Sequence, residues 1–348
     1  MARPVRIEIP GGWYHVVARG NERRRVFADE KDRWRFVELL ADWVGRFDLR
    51  LHGYVLMDNH YHLLVETPQA NLSQAMQWLG VSYTTGFNRR HGRVGHLFQG
   101  RFQAMILEAE TAGVEVSRYL HLNPVRVGRL GLSKTAQRRA ALGMTGKPDA
   151  KLVAKRLERL RGYPWSSYRA YVGRAKKPAW LTTRIVLEML GGRSWSERQQ
   201  AYRRHVEAAV REGLAESPWE RLEAGVVLGG QRFVERMRRH LRGDEREQPQ
   251  LRRLKARPSW EQVVAAVEKL KGERWEAFRD RYGDCGRDLA LYVGRRRAGM
   301  RLRELAEAAG GVDYGSAAGA VQRFAQRLRH DRALKKLVNA VENEISNS

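Results

Sequence analysis

The sequence predicts an α+β domain, an antiparallel sheet with helices packed on one face, followed by an all-α carboxy-terminal module. Two observations predict it. In the first 130 residues, short runs with period-2 alternation interleave with long stretches of helical period, in the order βαββαβ and then α. From Pro258 onward only helical periods remain.

The first strand is Trp13-Tyr14-His15-Val16-Val17-Ala18-Arg19, rich in aromatic and β-branched residues and closed by Gly20-Asn21. From Asp29 to Phe47, the apolar residues Trp34, Phe36, Leu39, Leu40, Trp43 and Phe47 recur at helical spacing, with Asp29 as the amino-terminal cap. Residues 49–57 and 60–66 read as two strands joined by a tight turn at Asp58-Asn59. Asn71-Leu72-Ser73 opens a helix to Phe87 or Asn88, and residues 99–108 return as a strand. A helix from Thr111 should end at Asn123, because Pro124 disfavours helical backbone in the residue before it. Residues 1–130 thus make one domain. Residues 131–162, basic and poor in large apolar side chains, read as an insertion or linker. Residues 163–241 read as a mostly helical middle region opened by the aromatic segment Tyr163-Pro164-Trp165-Ser166-Ser167-Tyr168, and 242–257 as a charged linker. Residues 258–348 carry helical periods at 260–270, 275–282, 288–298, 302–309, 316–330 and 331–345.

The 348 residues hold 65 Lys and Arg against 39 Asp and Glu, a formal charge of +26 that exceeds what solubility requires and calls for a polyanion. A membrane surface is the poorer candidate. No apolar run approaches the roughly 20 residues of a span, and the amino terminus lacks a secretory apolar segment, so a cytoplasmic protein is expected. The single cysteine, Cys285, excludes an intrachain disulfide and a thiolate metal cluster. Nucleic acid is the expected partner.

His60 and His62 stand one residue apart at the start of a strand, where residues i and i+2 share a face and two imidazoles can reach one ion. Tyr119 and Asn123 stand four apart on a helix, which places a phenol beside an amide oxygen. A phenol with a reference pKa of about 10 is a poor nucleophile near neutrality and needs a charged metal or a base beside it. The four residues together suit a metal-assisted tyrosine nuclease. A histidine pair alone is more often structural or merely exposed than metal-binding.

Four blocks raise the weight of this set: Trp13 to Asn21, Gly53 to Glu66, Gly95-His-Leu-Phe-Gln-Gly-Arg-Phe-Gln103, and Arg118-Tyr-Leu-His-Leu-Asn-Pro-Val-Arg126. In this order they resemble the REP-associated tyrosine transposases, relatives of the single-tyrosine insertion-sequence transposases, over about residues 3 to 173. The resemblance implies the HUH endonuclease fold, ferredoxin-like or RRM-like, with His60 and His62 as metal ligands, Asn123 as a further ligand and Tyr119 as the nucleophile. It also implies magnesium or manganese as cofactor and a 5′-phosphotyrosine intermediate with a free 3′-hydroxyl. The partners it implies are single-stranded DNA hairpins of REP-like palindromes, handled by a monomer. Two imidazoles tilt the metal toward manganese or another transition ion, where an all-oxygen shell would suit magnesium. Val127 stands where the family usually has alanine, and the stretch between Leu130 and Tyr163 is long.

The remaining candidates are phosphate contacts. Arg19, Arg23 and Arg24 crowd the turn after the first strand, Arg89 and Arg90 the end of the second helix, and Arg3 and Arg6 match the family's amino-terminal arm by position. A solvated basic surface explains these clusters equally well. His121, two residues from Tyr119, points away from it and is either structural or DNA-facing; His15 and His52 are left outside the site. In the terminal module, Leu289 to Ala306 followed by Gly310 to Phe324 resembles the helix-turn-helix of the DnaA initiator and Trp-repressor-like domains, which implies duplex DNA contact through Tyr314, Ser316 and Arg323. That pattern carries Asp-His-Thr-Thr or Asp-His-Thr-Ser where this chain has Asp313-Tyr314-Gly315-Ser316, so a helical bundle with phosphate contacts alone stays open. The rival to the nuclease is a catalytically silent hairpin-binding or regulatory protein; a ribonuclease is disfavoured, because RNA cleavage has its own 2′-hydroxyl nucleophile.

Overall fold

The computed structural model describes residues 6–127, 130, 132, 149–212, 217–223, 225–240 and 258–347. Two compact units divide the chain, residues 3–242 and 243–348.

The first unit is built on a five-stranded sheet of order β2-β3-β1-β4-β5. β1 (Gly12–Arg19) is flanked by β3 (His60–Thr67) and β4 (Gln103–Leu107), and β2 (Arg50–Met57) pairs with β3, all antiparallel. The fifth strand departs from the expected all-antiparallel sheet: β5 (Val227–Leu228) runs parallel to β4. No period is legible in two residues, so its pairing is set by the tertiary fold. β4 starts four residues later than its apolar pattern suggests, after bends at 99–101.

Local chemistry explains the helices that frame the sheet. α1 (Glu30–Arg46) opens with a reciprocal capping box between Asp29 and Asp32. α2 (Leu72–Arg90) follows Asn71, whose amide donates to the Phe47 carbonyl at 2.9 Å and makes no cap. α3 (Ala109–Leu122) passes into a 3₁₀ turn at Asn123–Val125, where Pro124 removes the next backbone donor.

These helices cover both faces of the sheet, not one. Phe36 of α1 and Tyr83 of α2 meet edge to face at 5.0 Å between ring centroids, and Phe36 lies 4.7 Å from Tyr61. Tyr119 of α3 instead approaches His62, which points the opposite way from Tyr61. The physical reason lies in β3, where every residue from Tyr61 to Thr67 is buried, as in a strand covered on both sides.

Part of the stretch read as an insertion or linker is a packed helix, α4 (Ala150–Gly162); most of 131–148 lies outside the described residues. Its buried Arg156 donates from Nε to the Leu130 carbonyl at 2.7 Å and from Nη1 to the Val210 carbonyl at 3.2 Å. Arg161 grips Glu207 of α5 (Trp195–Glu212) through two bonds of 2.7 and 2.6 Å. The aromatic segment at 163–171 seals β2: the Leu56 amide donates to the Trp165 carbonyl, and the Tyr163 and Tyr171 hydroxyls donate to the Leu56 and His52 carbonyls. α6 (Gln231–Arg239) follows β5.

The second unit is all-helical as expected, with α7 (Trp260–Lys271), α8 (Gly286–Val293), α9 (Leu302–Ala308), α10 (Tyr314–His330) and α11 (Arg332–Asn347). Trp260, Phe278, Leu291, Leu305, Phe324 and Val341 are buried in its core. The helical period at 288–298 is broken: α8 ends at Val293 and a π turn, Gly294–Ala298, follows. Gly294 packs against Leu305 and Trp260 so closely that a Cβ there would lie 2.8 Å from Leu305 Cδ2.

Candidate active site

β3 begins at His60 directly after the Asp58-Asn59 turn, and strand alternation places His60 and His62 on the α3 side with ring centroids 5.0 Å apart. The Asn59 side-chain oxygen Oδ1 lies 2.6 Å from His60 Nδ1 and accepts its proton, so Nε2 keeps its lone pair. His62 Nδ1 lies 2.9 Å from Nε2 of His15, which reaches across from β1, diagonal to it in the register. His62 Nε2 is buried without a hydrogen-bond partner. Burial pushes the His60 imidazole down to about 4 and His15 to about 3. His62 falls well below its ordinary value through burial and then the charges of His15, His60, Arg126 and Arg19. All three rings are uncharged near neutrality, the form in which imidazole binds a metal.

The donor set fits a divalent ion. Two neutral imidazoles, one with an orphaned buried nitrogen, lie on one face of β3. Among the described residues no group of three or more His, Cys, Asp or Glu could hold a metal, so an ion here would draw on an amide oxygen instead of a carboxylate. Asn123 is placed one helical turn beyond Tyr119, and its Nδ2 donates to the Tyr119 and Leu120 carbonyls at 3.1 Å each. That fixes the amide against the helix end, with Oδ1 as the oxygen that could reach an ion.

α3 carries Tyr119 toward the histidines, its ring centroid 6.2 Å from those of both His62 and His15. The Arg126 guanidinium carbon sits 4.2 Å over the Tyr119 ring. The opposite side of α3 is anchored by a buried polar network. The Ser117 hydroxyl and His121 Nδ1 each lie 2.5 Å from the Tyr202 hydroxyl, and His121 Nε2 lies 2.7 Å from Ser167 Oγ. His121 is fully buried and faces no DNA, which decides between its two readings in favour of the structural one. His52 is equally buried, bonded to Glu66 and stacked on Trp13.

The basic candidates divide. Arg19 ends β1 opposite His60 and is exposed beside the site, and Arg23, Arg24 and Arg89 are exposed as well, Arg24 pairing with Glu22 at 2.7 Å. Arg90 is not free for a phosphate: its guanidinium is bound to Asp29 and Asp32 at the start of α1. Arg6 is no mobile arm either, since it stacks 3.9 Å over Phe102 and donates to Ser73 Oγ at 3.0 Å. Arg3 lies outside the described residues. In the second unit Tyr314 is 60 % exposed at the start of α10, and Arg323 is exposed along it. The Ser316 hydroxyl and amide are both bound to the Asp313 cap, which leaves Ser316 little to offer a base.

Three residues near Tyr119 escaped the sequence reading. His15 bonds His62; its signal was present, one aromatic strand residue among others, but the β1/β3 register that makes it a neighbour is not written locally. Arg126 belongs to the motif of Tyr119 and was readable as its next turn. Trp219, in the 3₁₀ turn Pro218–Arg221, stacks on His15 at 4.6 Å and meets Tyr119 edge-on at 5.0 Å, leaving the phenol 9 % exposed. Nothing in its local sequence points to the site.

No curated protein matches the chain. A solved structure of a REP-associated tyrosine transposase bound to a REP hairpin aligns with 51 % of this chain and 89 % of its own at 16 % identity, with a TM-score of 0.35. Residues 9–123, which hold His60, His62, Tyr119 and Asn123, match the family of IS200-like transposases.

Proposed function

We propose that the protein is a metal-dependent single-stranded DNA endonuclease and strand transferase, transposase-like, acting on palindromic hairpin repeats through Tyr119. The observation that carries this reading is the approach of the Tyr119 ring to within 6.2 Å of His62, whose imidazole burial keeps neutral. The match of residues 9–123 to IS200-like transposases supports it. A magnesium or manganese ion held by His60, His62 and the Asn123 oxygen would supply a Lewis acid beside the scissile phosphate. Tyr119 Oη attacks phosphorus and gives its proton to solvent. The bond from phosphorus to the 3′ oxygen breaks, and that oxygen takes up a proton as a free 3′-hydroxyl. The 5′-phosphotyrosine conserves the phosphodiester energy, so a 3′-hydroxyl can reverse the step on another end without a nucleotide cofactor. Arg126, over the Tyr119 ring, and Arg19, beside His60, supply cationic charge for the phosphates.

The second unit would place the catalytic one by contacting duplex DNA through α10, along which Tyr314 and Arg323 are exposed. A monomer would suffice for the chemistry, because Tyr119 stands 6.2 Å from His62 of the same chain. The second reading is a hairpin binder without chemistry, favoured by one observation, the cover that Trp219 lays over Tyr119. The two separate on a denaturing gel. Labelled single-stranded hairpins from the repeats flanking the gene, with manganese or magnesium, should give a nick and a covalent adduct with wild type and neither with Tyr119→Phe. Tight binding of intact hairpins under both metals would favour the binder.

A further inference from the structure

The histidine that bonds His62 has an assignable task. His15 Nε2 and His62 Nδ1 share one hydrogen bond of 2.9 Å, and both rings are buried. The outer nitrogens, His15 Nδ1 and His62 Nε2, are buried with no hydrogen-bond partner. Two neutral imidazoles carry two protons among these four nitrogens, so only two arrangements keep the bond. In one, His15 Nε2–H donates to His62 Nδ1, and the His62 proton sits on Nε2 and blocks that lone pair. In the other, His62 Nδ1–H donates to His15 Nε2, the second proton sits on His15 Nδ1, and His62 Nε2 is bare. Each arrangement leaves one outer nitrogen with an unpaired proton and the other bare. Only the second offers a metal ligand.

We infer that His15 is the positioning residue of the site: by accepting the His62 Nδ1 proton it fixes the tautomer and ring angle that present His62 Nε2 as a ligand. The inference rests on the metal reading proposed above. The rest of the geometry agrees with it. His60 is fixed in the same sense by Asn59, whose side-chain Oδ1 accepts from Nδ1 and leaves Nε2 bare. Trp219, stacked at 4.6 Å on one face of the His15 ring, holds that ring in the plane the bond requires. The two ligands thus receive the same support from different elements, an amide in the hairpin turn and an imidazole on the neighbouring strand.

The test is a titration of Mn2+ into the full-length protein, with long-range proton–nitrogen NMR of the histidine rings. Metal-free wild type should show His62 protonated on Nδ1 and His15 on Nδ1. His15→Phe, which keeps a ring for Trp219 but offers no acceptor, should bind Mn2+ about 10- to 100-fold more weakly, the range lost when a ligand's supporting partner is removed. His15→Gln, whose carbonyl oxygen can take the His62 proton, should stay within a few-fold of wild type. A merely structural role would make both variants alike, and that result overturns the inference, as does a His62 ring protonated on Nε2 in wild type. Should His15→Phe fail to fold, the wild-type ring spectrum decides alone. His62→Ala separates the layers: unchanged Mn2+ affinity there sinks the metal reading itself, whereas a loss there with His15→Phe unaffected sinks only the role of His15.

Discussion

At the scale of single residues, the site depends on imidazoles kept neutral by burial. His15, His60 and His121 have folded pKa values of about 3, 4 and 3, below the 6.5 of an unfolded histidine, so the unfolded chain binds more protons between those limits. Their contribution to stability is complete above pH 6.5 and is lost as pH falls toward 4 and then 3. Metal-free protein should therefore unfold at steadily lower temperature from pH 7 to pH 4, and His121→Phe should flatten that slope; an unchanged slope would contradict neutral burial of His121. Arg19 acts at the same scale, exposed beside His60. Arg19→Ala should weaken hairpin binding and reduce the slope of log K against log salt by about 0.7, the share of one phosphate contact on a single strand. A parallel shift with no change of slope would remove Arg19 from the phosphate path. His60, His62, Tyr119 and Asn123 were legible because each pair obeys a local period, two on a strand and four on a helix. His15 and Trp219 were not, since only strand register and chain return make them neighbours of Tyr119.

Elements hold these residues in place. α3 presents Tyr119 on one side and is fixed on the other by Ser117 and His121, which meet Tyr202 of α5 and Ser167 of the aromatic segment. The middle region is thus part of the scaffold of the helix that carries Tyr119. Arg156 ties α4 to the carbonyls of Leu130 and Val210, and its replacement by Ala should cost about 2 kcal/mol in chemical denaturation, because buried carbonyls lose a charged donor. An effect below about 0.5 kcal/mol, the level of an ordinary surface change, would show α4 to be peripheral. Elements with a long, regular period were legible: α1 with its Asp29 cap, β1, and the 60–66 strand all fall where their patterns put them. α4 was misread although Leu152, Val153, Leu157 and Leu160 keep a helical period, because the basic residues between them and in the stretch before them read as a solvated linker, and a buried arginine completes the packing. β5 and the π turn after α8 have no local signature, since one is two residues long and the other is set by the tight approach of Gly294 to Leu305. Gly294→Ala should accordingly destabilise the chain by about 1–3 kcal/mol, the usual cost of overpacking.

For the whole molecule, charge and chemistry point the same way. A formal charge of +26 gives the chain a general attraction for nucleic acid, while selectivity for one phosphate would have to come from a site that reads it in one geometry. The α+β class was legible from the strand and helix periods of the first 130 residues, and the all-helical module from the helical periods beyond the charged linker that ends before Pro258; the burial of both sheet faces was legible only in the unbroken Leu63-Leu64-Val65 run. The central claim, that Tyr119 becomes covalently joined to DNA, is tested most directly by mapping the adduct. Full-length protein would be incubated with a single-stranded hairpin and Mn2+, digested, and the nucleotide-bearing peptide sequenced by mass spectrometry. The account predicts a 5′-phosphate ester on Tyr119 and on no other residue. An adduct on a different side chain, or cleavage with no adduct at any tyrosine, would contradict it.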